Sequence, residues 1–210
     1  MKKTQILSNI KGIQHGFCDR EDSSTLQNPI LMNQVHSADV LVIFQKPVEQ
    51  PSVDALITKE KGLVLTVKTA DCAPVLIADT KNKIIAAIHA GWRGAFQGII
   101  ENTILKMIEE GADISKMVAA IGPHIQKRSF VADEKMKALF PITEHCFFEP
   151  MAKTDSYLFD FDAYVIHRLK RAGITKIESV LDDTYSDKKY LSYRREPKNP
   201  KRQYSYIVLE

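Results

Sequence analysis

Several common marks of secreted, membrane-bound and nucleic-acid-binding proteins are scarce or missing in this sequence. Only three cysteines occur among 210 residues, widely spaced, so we expect no disulfide framework and predict a reducing, cytoplasmic location. No stretch approaches the roughly 20 apolar residues of a membrane-spanning helix. The basic residues at the N-terminus are not followed by the apolar core of a signal peptide. A net charge of only +3 is too small to indicate nucleic-acid binding on its own.

The composition that is present is that of an ordinary globular protein. Hydrophobic residues make up 44% of the chain and charged residues 26%, and both values are typical of soluble domains. A chain of this length can bury a substantial core in one domain, and it contains no internal repeat, low-complexity tract or linker. We therefore expect residues 1–210 to form a single domain.

The pattern of apolar residues predicts a mixed α/β fold with many strands. Residues 1–20 are expected to hold a short edge strand, and residues 21–30 a loop. Apolar, β-branched runs predict strands at 40–44, 53–58, 63–69, 75–78, 84–88, 117–121, 177–181 and 204–209. A short turn joins the runs at 75–78 and 84–88, which predicts a hairpin. A 3.6-residue period predicts helices from Gly94 to Gly111, over about 131–140 and from Asp160 to Gly173.

Three side chains with metal-binding atoms stand at the ends of predicted strands. Cys72 precedes the first strand of the hairpin and His89 follows the second, so antiparallel pairing brings the thiol and the imidazole together. His36 precedes the strand at 40–44. One cysteine and two histidines form a ligand set that zinc accepts, with a fourth position left for water or substrate. A buried cysteine and two ordinary histidines are the alternative, since the spacing matches no short metal motif.

The same cysteine and histidine also fit a nucleophilic pair. A Cys72 thiolate beside the His89 imidazole is an arrangement found in hydrolases and deamidases, where a third polar group such as Asp71 orients the pair. His36 distinguishes the two hypotheses, because a nucleophilic pair needs no second histidine and a zinc site does.

Arg93 and Asp71 flank these residues and are the next candidates. Arg93 lies between Gly91 and Gly94 at a predicted strand-to-helix junction, where free N–H groups and a guanidinium favour an anion. Alternatively the glycines serve a tight turn and Arg93 contacts a neighbour. Asp71 could orient a ligating histidine or carry a proton, or it could cap the end of a strand.

The segment from Tyr185 to Tyr206 is basic and rich in tyrosine. Such a mixture could bind single-stranded nucleic acid through phosphates and stacked bases. Glu196 and several prolines interrupt it. A solvated surface or the wall of a pocket for one anionic ligand is the favoured interpretation, and no nucleic-acid partner is expected.

Six segments resemble, in order, those of the YfiH-type purine nucleoside phosphorylases, a family earlier described as multicopper polyphenol oxidases or laccase-domain proteins. They are residues 33–36, 53–58, 69–76, 89–94, 121–123 and 191–195. The resemblance implies an α/β fold, with a mixed β-sandwich core and flanking helices, and zinc held by His36, Cys72 and His89. It also implies phosphorolysis of adenosine, inosine, guanosine and methylthioadenosine to a free base and ribose 1-phosphate, with some deamination of adenosine.

On this basis we expect a zinc enzyme, monomeric or homodimeric, whose partners are purine nucleosides and phosphate. Copper is an alternative occupant of the metal site in vitro. Asp71 and Arg93 are the expected catalytic residues, and Arg20, Arg93 and Arg194 are expected to bind substrate, with the phosphate as their main target. The chain departs from the family in a short segment at 21–32 and in Asp183, which stands where the family often has cysteine.

The older laccase description does not fit the histidine content. A multicopper oxidase needs about ten histidines, many of them in His-x-His pairs, to hold its several coppers. This chain has six histidines, no two of which are separated by a single residue. They are His15, His36, His89, His124, His145 and His167.

Overall fold

A computed structural model describes residues 1–22, 26–152 and 155–210. In these ranges the chain forms five α-helices and thirteen strands. The helices are α1 (Gln5–Ser8), α2 (Trp92–Gln97), α3 (Ile99–Glu109), α4 (Glu134–Lys137) and α5 (Phe161–Arg171). The strands are β1 (Ile13–Phe17), β2 (Pro29–Ile30), β3 (Val40–Val42), β4 (Ala55–Thr58), β5 (Val64–Thr69), β6 (Ala73–Asp79), β7 (Ile85–Ala90), β8 (Met117–Ile121), β9 (Val131–Asp133), β10 (Phe148–Pro150), β11 (Ser156–Phe159), β12 (Lys176–Ser179) and β13 (Gln203–Leu209).

A mixed six-stranded sheet lies at the centre, with strand order β12-β8-β6-β7-β4-β3. Its middle is the predicted hairpin, in which β6 and β7 pair antiparallel and Val75 lies opposite Ile88. Every residue of β4, β6, β7 and β8 is buried. These strands read as nearly continuous apolar runs because both faces of the sheet are covered.

Two further layers cover the central sheet. A four-stranded sheet in the order β1-β13-β5-β2 packs on one face, where Phe17, Leu65 and Ile207 share a core with Leu56 and Leu76. The other face packs against α2, α3 and α5 and against a small sheet in the order β10-β11-β9. The expected mixed α/β fold, with a β-sandwich core and flanking helices, is confirmed.

The helical predictions were right in part. The helix after β7 begins at Trp92 and is divided at Gly98, whose φ of +99° separates α2 from α3. Gly111 follows α3 with φ +98°, as a C-terminal glycine should. The helix expected over 131–140 was wrong at its start, because residues 131–133 form β9 and pair with β11. This cross-strand pairing overrides the local helical pattern.

The N-terminal region also differs from expectation. The predicted edge strand is β1, but α1 precedes it and was not foreseen. The backbone N–H groups of Gln5 and Ile6 in α1 donate to the Glu178 carboxylate on β12. The loop expected at 21–30 ends in β2, and its residues 23–25 lie outside the described ranges. In the described part of the chain, no helix has the length and apolar character needed to cross a bilayer.

His15 on β1 makes the stability of the fold sensitive to mild acid. It is 1% exposed, and its Nε2 accepts a hydrogen bond from the Thr4 backbone N–H at 2.9 Å. Burial, assisted by the charge of Lys3, lowers the pKa of His15 from 6.5 to about 4. The unfolded chain gains this proton near pH 6.5 and the folded chain only near pH 4. The contribution of neutral, buried His15 to the free energy of unfolding is therefore complete above pH 6.5 and is lost as the pH falls towards 4.

Lowering the pH from about 7.5 to about 5 should reduce the unfolding free energy of the wild type by about 1–2 kcal/mol more than that of His15→Gln. Glutamine keeps an acceptor for the Thr4 N–H but does not titrate in this range. Urea unfolding of both proteins at the two pH values measures the difference. Equal losses in the two proteins would contradict the assignment.

Candidate functional site

The sheet topology brings the three candidate metal ligands to one edge of the central sheet. Strand β6 begins where the antiparallel β7 ends, so Pro74 pairs with His89 and Cys72 lies beside them. Strands β3 and β4 are parallel and begin at this same edge, which places His36 there as well. The metal-binding atoms of His36, Cys72 and His89 lie within 4.8 Å of one another. The predicted trio is therefore one cluster.

Asp54, immediately before β4, holds this cluster together. Its carboxylate is fully buried, and Oδ1 lies 2.7 Å from His89 Nδ1. The backbone N–H groups of Val35, His36 and Ser37 also donate to the two carboxylate oxygens, at 3.2, 3.1 and 2.7 Å. His36 takes a left-handed φ of +59° within this turn. One carboxylate therefore fixes both the His36 loop and the orientation of the His89 ring.

The sequence pattern predicted no role for Asp54, and Asp71 was the expected residue that orients a histidine. The structure assigns that contact to Asp54. A signal was present, because an aspartate at the start of an apolar strand is rarely buried without a specific partner. The partner itself lies 35 residues away along the chain, so it could not be identified from local pattern.

The electrostatics of the cluster favour a cation. Burial would lower the pKa of His89, but its interactions with Cys72 and with the Asp54 carboxylate outweigh this effect and raise the pKa to about 9. Burial and the neighbouring His89 lower the pKa of His36. Groups that stabilise a positive charge on His89 also stabilise a metal ion placed between the same side chains.

The donor set and its surroundings fit zinc. With Nδ1 of His89 engaged by Asp54, Nε2 is left to coordinate, a pattern common in zinc sites. Ligand atoms around tetrahedral zinc stand about 3.3–3.8 Å apart, so a small contraction of the cluster suffices. Gly91 provides the space, because a Cβ there would lie 2.5 Å from His36 Nδ1 and 3.3 Å from Cys72 Sγ.

A cavity of about 870 Å³ opens over the cluster, within the size range of small-molecule sites. Aromatic and basic side chains form much of its wall. The aromatic residues are Trp92, Phe130, Phe161 and Tyr193, and the basic residues are Lys68, Arg93, Arg194 and Arg202. Among the described residues, none of these four basic side chains forms an ion pair. The cavity therefore suits an anionic ligand with an apolar, planar part.

Two of the predicted arginines are held in the cavity wall by aromatic rings. The Arg93 guanidinium lies 4.4 Å from the centre of the Trp92 ring. The Arg194 guanidinium lies 5.0 Å from the Phe130 ring, and its Nη1 donates to the Val131 carbonyl at 2.9 Å. These contacts orient both cations, and the structure brings both into the cavity as expected.

Asp71 also lines the cavity, but its carboxylate is engaged with the C-terminal loop. It accepts hydrogen bonds from Thr184 Oγ1 at 2.7 Å, Ser192 Oγ at 3.0 Å and the Arg194 backbone N–H at 2.7 Å. Its φ of +86° is strained for a residue other than glycine. Asp71, which is adjacent to Cys72 in the chain, thus connects the metal-ligand cluster to the C-terminal loop that forms part of the cavity wall. A catalytic role for Asp71 stays a prediction.

Some of the other basic residues have structural contacts. The expected substrate ligand Arg20 is not among the cavity-lining residues and instead pairs with Glu196 at 2.7 Å. Arg195 donates to the carbonyls of Thr184, Tyr185 and Tyr190. Part of the positive charge that suggested nucleic acid is therefore used within the fold.

The fold and the site together define a class of α/β sandwich proteins with a Cys–His–His cluster at the edge of the central sheet. The chain belongs to the family described as multi-copper polyphenol oxidoreductase laccase, whose family model matches residues 14–210. Named relatives confirm the resemblance to YfiH-type purine nucleoside phosphorylases.

Two relatives and one solved structure illustrate the similarity. Purine nucleoside phosphorylase RP494 of Rickettsia prowazekii is 38% identical over 199 residues, which cover 93% of this chain and 79% of the relative. Purine nucleoside phosphorylase YfiH of Escherichia coli is 33% identical over 183 residues, covering 86% and 74%. The crystal structure of Neisseria meningitidis protein NMB0706 superposes with a TM-score of 0.80 at 31% identity, covering 87% of this chain and 75% of that one.

Proposed function

We propose that the protein is a zinc-dependent purine nucleoside phosphorylase that cleaves adenosine, inosine, guanosine and methylthioadenosine with phosphate and also deaminates adenosine. The observation that carries the proposal is the Cys–His–His cluster at the base of a cationic, aromatic cavity. It is supported by relatives that are named purine nucleoside phosphorylase.

Phosphorolysis requires that phosphate be held against the anomeric carbon of the nucleoside. Arg93 is the proposed main phosphate ligand, because its stacking on Trp92 leaves the N–H edges of the guanidinium free for bidentate contacts. Arg194, which lines the same cavity, is the proposed second phosphate ligand. Positioning of this kind lowers the barrier by converting an encounter between two molecules into a step within one complex.

His36, Cys72 and His89 would hold the zinc ion, with Asp54 orienting His89. When bound, zinc supplies a Lewis acid that can bring the pKa of a coordinated water towards neutrality, as hydrolytic deamination requires. The aromatic rings of the cavity offer faces on which a purine can stack.

The same geometry argues against the chemistry in the family description. In the described ranges, the only group of three or more His, Cys, Asp or Glu side chains that could hold a metal ion is the His36–Cys72–His89 cluster. A multicopper oxidase must hold several coppers through many histidines, so this chain is better suited to a single metal ion.

A cysteine hydrolase is the second candidate, and one observation favours it. Cys72, His89 and Asp54 are arranged as nucleophile, base and orienting carboxylate, with the His89–Asp54 contact at 2.7 Å. The hypothesis gives no role to His36, whose imidazole completes the cluster. Metal analysis of the purified protein and chromatographic assay of adenosine, with and without phosphate, distinguish the two candidates.

Arg93→Ala should weaken the use of phosphate more than it weakens deamination. Loss of a charged hydrogen-bonding group on phosphate is expected to lower kcat/KM for phosphate about 10–100-fold. Deamination uses no phosphate and should fall much less. The two rates are measured on the same preparations by separating adenine, inosine and hypoxanthine.

Lys201→Ala is the matched control for this variant. Lys201 is an exposed cation outside the cavity lining, so its replacement removes one positive charge without touching the site. If Arg93→Ala reduces both activities equally while zinc stays bound, Arg93 serves the fold or the purine, and the phosphate assignment is wrong.

A further inference from the structure

The cavity has more positive charge than a neutral nucleoside and one phosphate require. Four basic side chains line it, and Asp71 is the one acid in its lining among the described residues. The Asp71 carboxylate is already engaged by three hydrogen bonds. One phosphate has a charge of about −1.5 to −2 at neutral pH. Arg93 and Arg194 are sufficient for it, which leaves Lys68 and Arg202 without a ligand.

Lys68 and Arg202 come from a different layer of the sandwich than Arg93. Lys68 lies on β5, and Arg202 immediately precedes β13, which pairs with β5 so that Tyr204 lies opposite Lys68. Arg93 lies on α2, which follows β7 of the central sheet. The cavity is therefore bounded by basic side chains of both layers.

The backbone of Lys68 and the side chain of Arg202 are both held by hydrogen bonds. The Gln34 side chain binds both backbone groups of Lys68, accepting from its N–H at 2.8 Å and donating to its carbonyl at 2.7 Å. Arg202 Nη1 donates to the carbonyls of Asn199 and Lys201 at 2.9 and 2.7 Å, and its guanidinium lies 5.8 Å from the Tyr193 ring. Because the Lys68 backbone and the Arg202 guanidinium are already held in place, less conformational entropy is lost when an anion binds.

We propose that Lys68 and Arg202 form a second anion subsite, which receives the 5′-phosphate of a purine nucleoside 5′-monophosphate. The assignment rests on the proposed function for the nucleoside part of the ligand. In this arrangement the 5′-phosphate contacts Lys68 and Arg202, and the inorganic phosphate contacts Arg93 and Arg194. The nucleoside lies between these two pairs of basic side chains. The cavity volume of about 870 Å³ accommodates a ligand of this size.

The test is a set of affinities measured by calorimetry on the zinc-loaded full chain at low salt. The probes are adenosine, adenosine 5′-monophosphate, ribose 5-phosphate and inorganic phosphate, applied to the wild type, Lys68→Ala, Arg202→Ala and Lys201→Ala. We expect wild type to bind the monophosphate at least about tenfold more tightly than adenosine. Lys68→Ala and Arg202→Ala should each reduce this preference about tenfold, and Lys201→Ala should keep it.

Three outcomes would overturn the proposal. The wild type could bind the monophosphate no more tightly than adenosine, a result that needs no variant to fold. Lys201→Ala could reduce the preference as much as Arg202→Ala, which would indicate that the general positive charge of this surface, and not a specific subsite, attracts the 5′-phosphate. Inorganic phosphate or ribose 5-phosphate could bind the wild type as tightly as the monophosphate does, with both affinities reduced equally in Arg202→Ala. This result would show that Lys68 and Arg202 bind a free anion and not the 5′-phosphate of a nucleotide. Arg202→Gln and Lys68→Met replace any alanine variant that fails to fold.

The experiment separates this proposal from the proposed activity. Adenosine cleavage is measured on the same preparations. Cleavage without a preference for the monophosphate removes the subsite and leaves the phosphorylase. A preference for the monophosphate without cleavage leaves the subsite and removes the phosphorylase.

Discussion

Cys72→Ala is expected to lose most of its bound zinc, to below about a tenth of one ion per chain after dialysis, and with it the phosphorylase activity. The thiolate is the only negatively charged ligand of the cluster, and its removal leaves two neutral imidazoles for a divalent cation. Cys72 is half-buried beside β6, so the fold should survive. Elemental analysis gives the zinc content, and circular dichroism verifies folding. Full zinc occupancy in this variant would remove Cys72 from the site.

His36→Ala decides between the metal centre and the cysteine hydrolase. If zinc is required, this variant should lose metal and activity together, because only two ligands remain. If Cys72 is a nucleophile activated by His89, the effect should be mild, since His36 is not part of that pair. An enzyme that resists chelators and is inactivated by thiol alkylation would contradict the metal assignment.

Asp54→Ala is expected to reduce the unfolding free energy by about 3–5 kcal/mol. The substitution leaves three backbone N–H groups and the Ser37 hydroxyl without their acceptor and removes the buried partner of His89. Zinc affinity should also fall about 10–100-fold, because His89 loses the group that orients it. Urea unfolding and competitive zinc titration measure the two effects separately.

Asp39→Ala and Asp54→Asn complete the comparison for this carboxylate. Asp39 is an exposed aspartate of the same loop, and its replacement should change stability by less than about 0.5 kcal/mol. Asparagine at position 54 keeps one carbonyl acceptor and should recover part of the stability while still weakening zinc binding. If Asp54→Ala binds zinc as tightly as the wild type, the carboxylate serves the loop alone.

The sequence was most informative where the chain folds locally. The hairpin of β6 and β7 was predictable because two apolar runs flank a short turn, and the meeting of Cys72 and His89 followed from that pairing. His36 was assigned to the cluster from its ligand chemistry and from the family resemblance. The parallel pairing of β3 with β4, which places His36 at the cluster, leaves no local signal in the sequence.

Features that depend on distant contacts were missed or misassigned. Asp54 reaches His89 across the sheet, and Asp71 reaches Ser192 from more than a hundred residues away along the chain. Arg20 was expected to bind substrate, and its contact with Glu196 could not be identified before folding. Residues 131–133, predicted to begin a helix, form β9 instead. This strand could not be predicted locally because its partner β11 lies later in the chain.

The position of β13 delays completion of the four-stranded sheet until late in the synthesis of the chain. This strand lies between β1 and β5, so β1 and β5 cannot be joined in one sheet until residues 203–209 have been made and have emerged from the ribosome. Until then, β1 and β5 expose apolar faces and unpaired edges, which are prone to aggregation. Arg202 also reaches the cavity only at that moment. His36, Cys72 and His89 all precede β13 in the chain, so the residues of the cluster are made before the part of the cavity wall that contains Arg202.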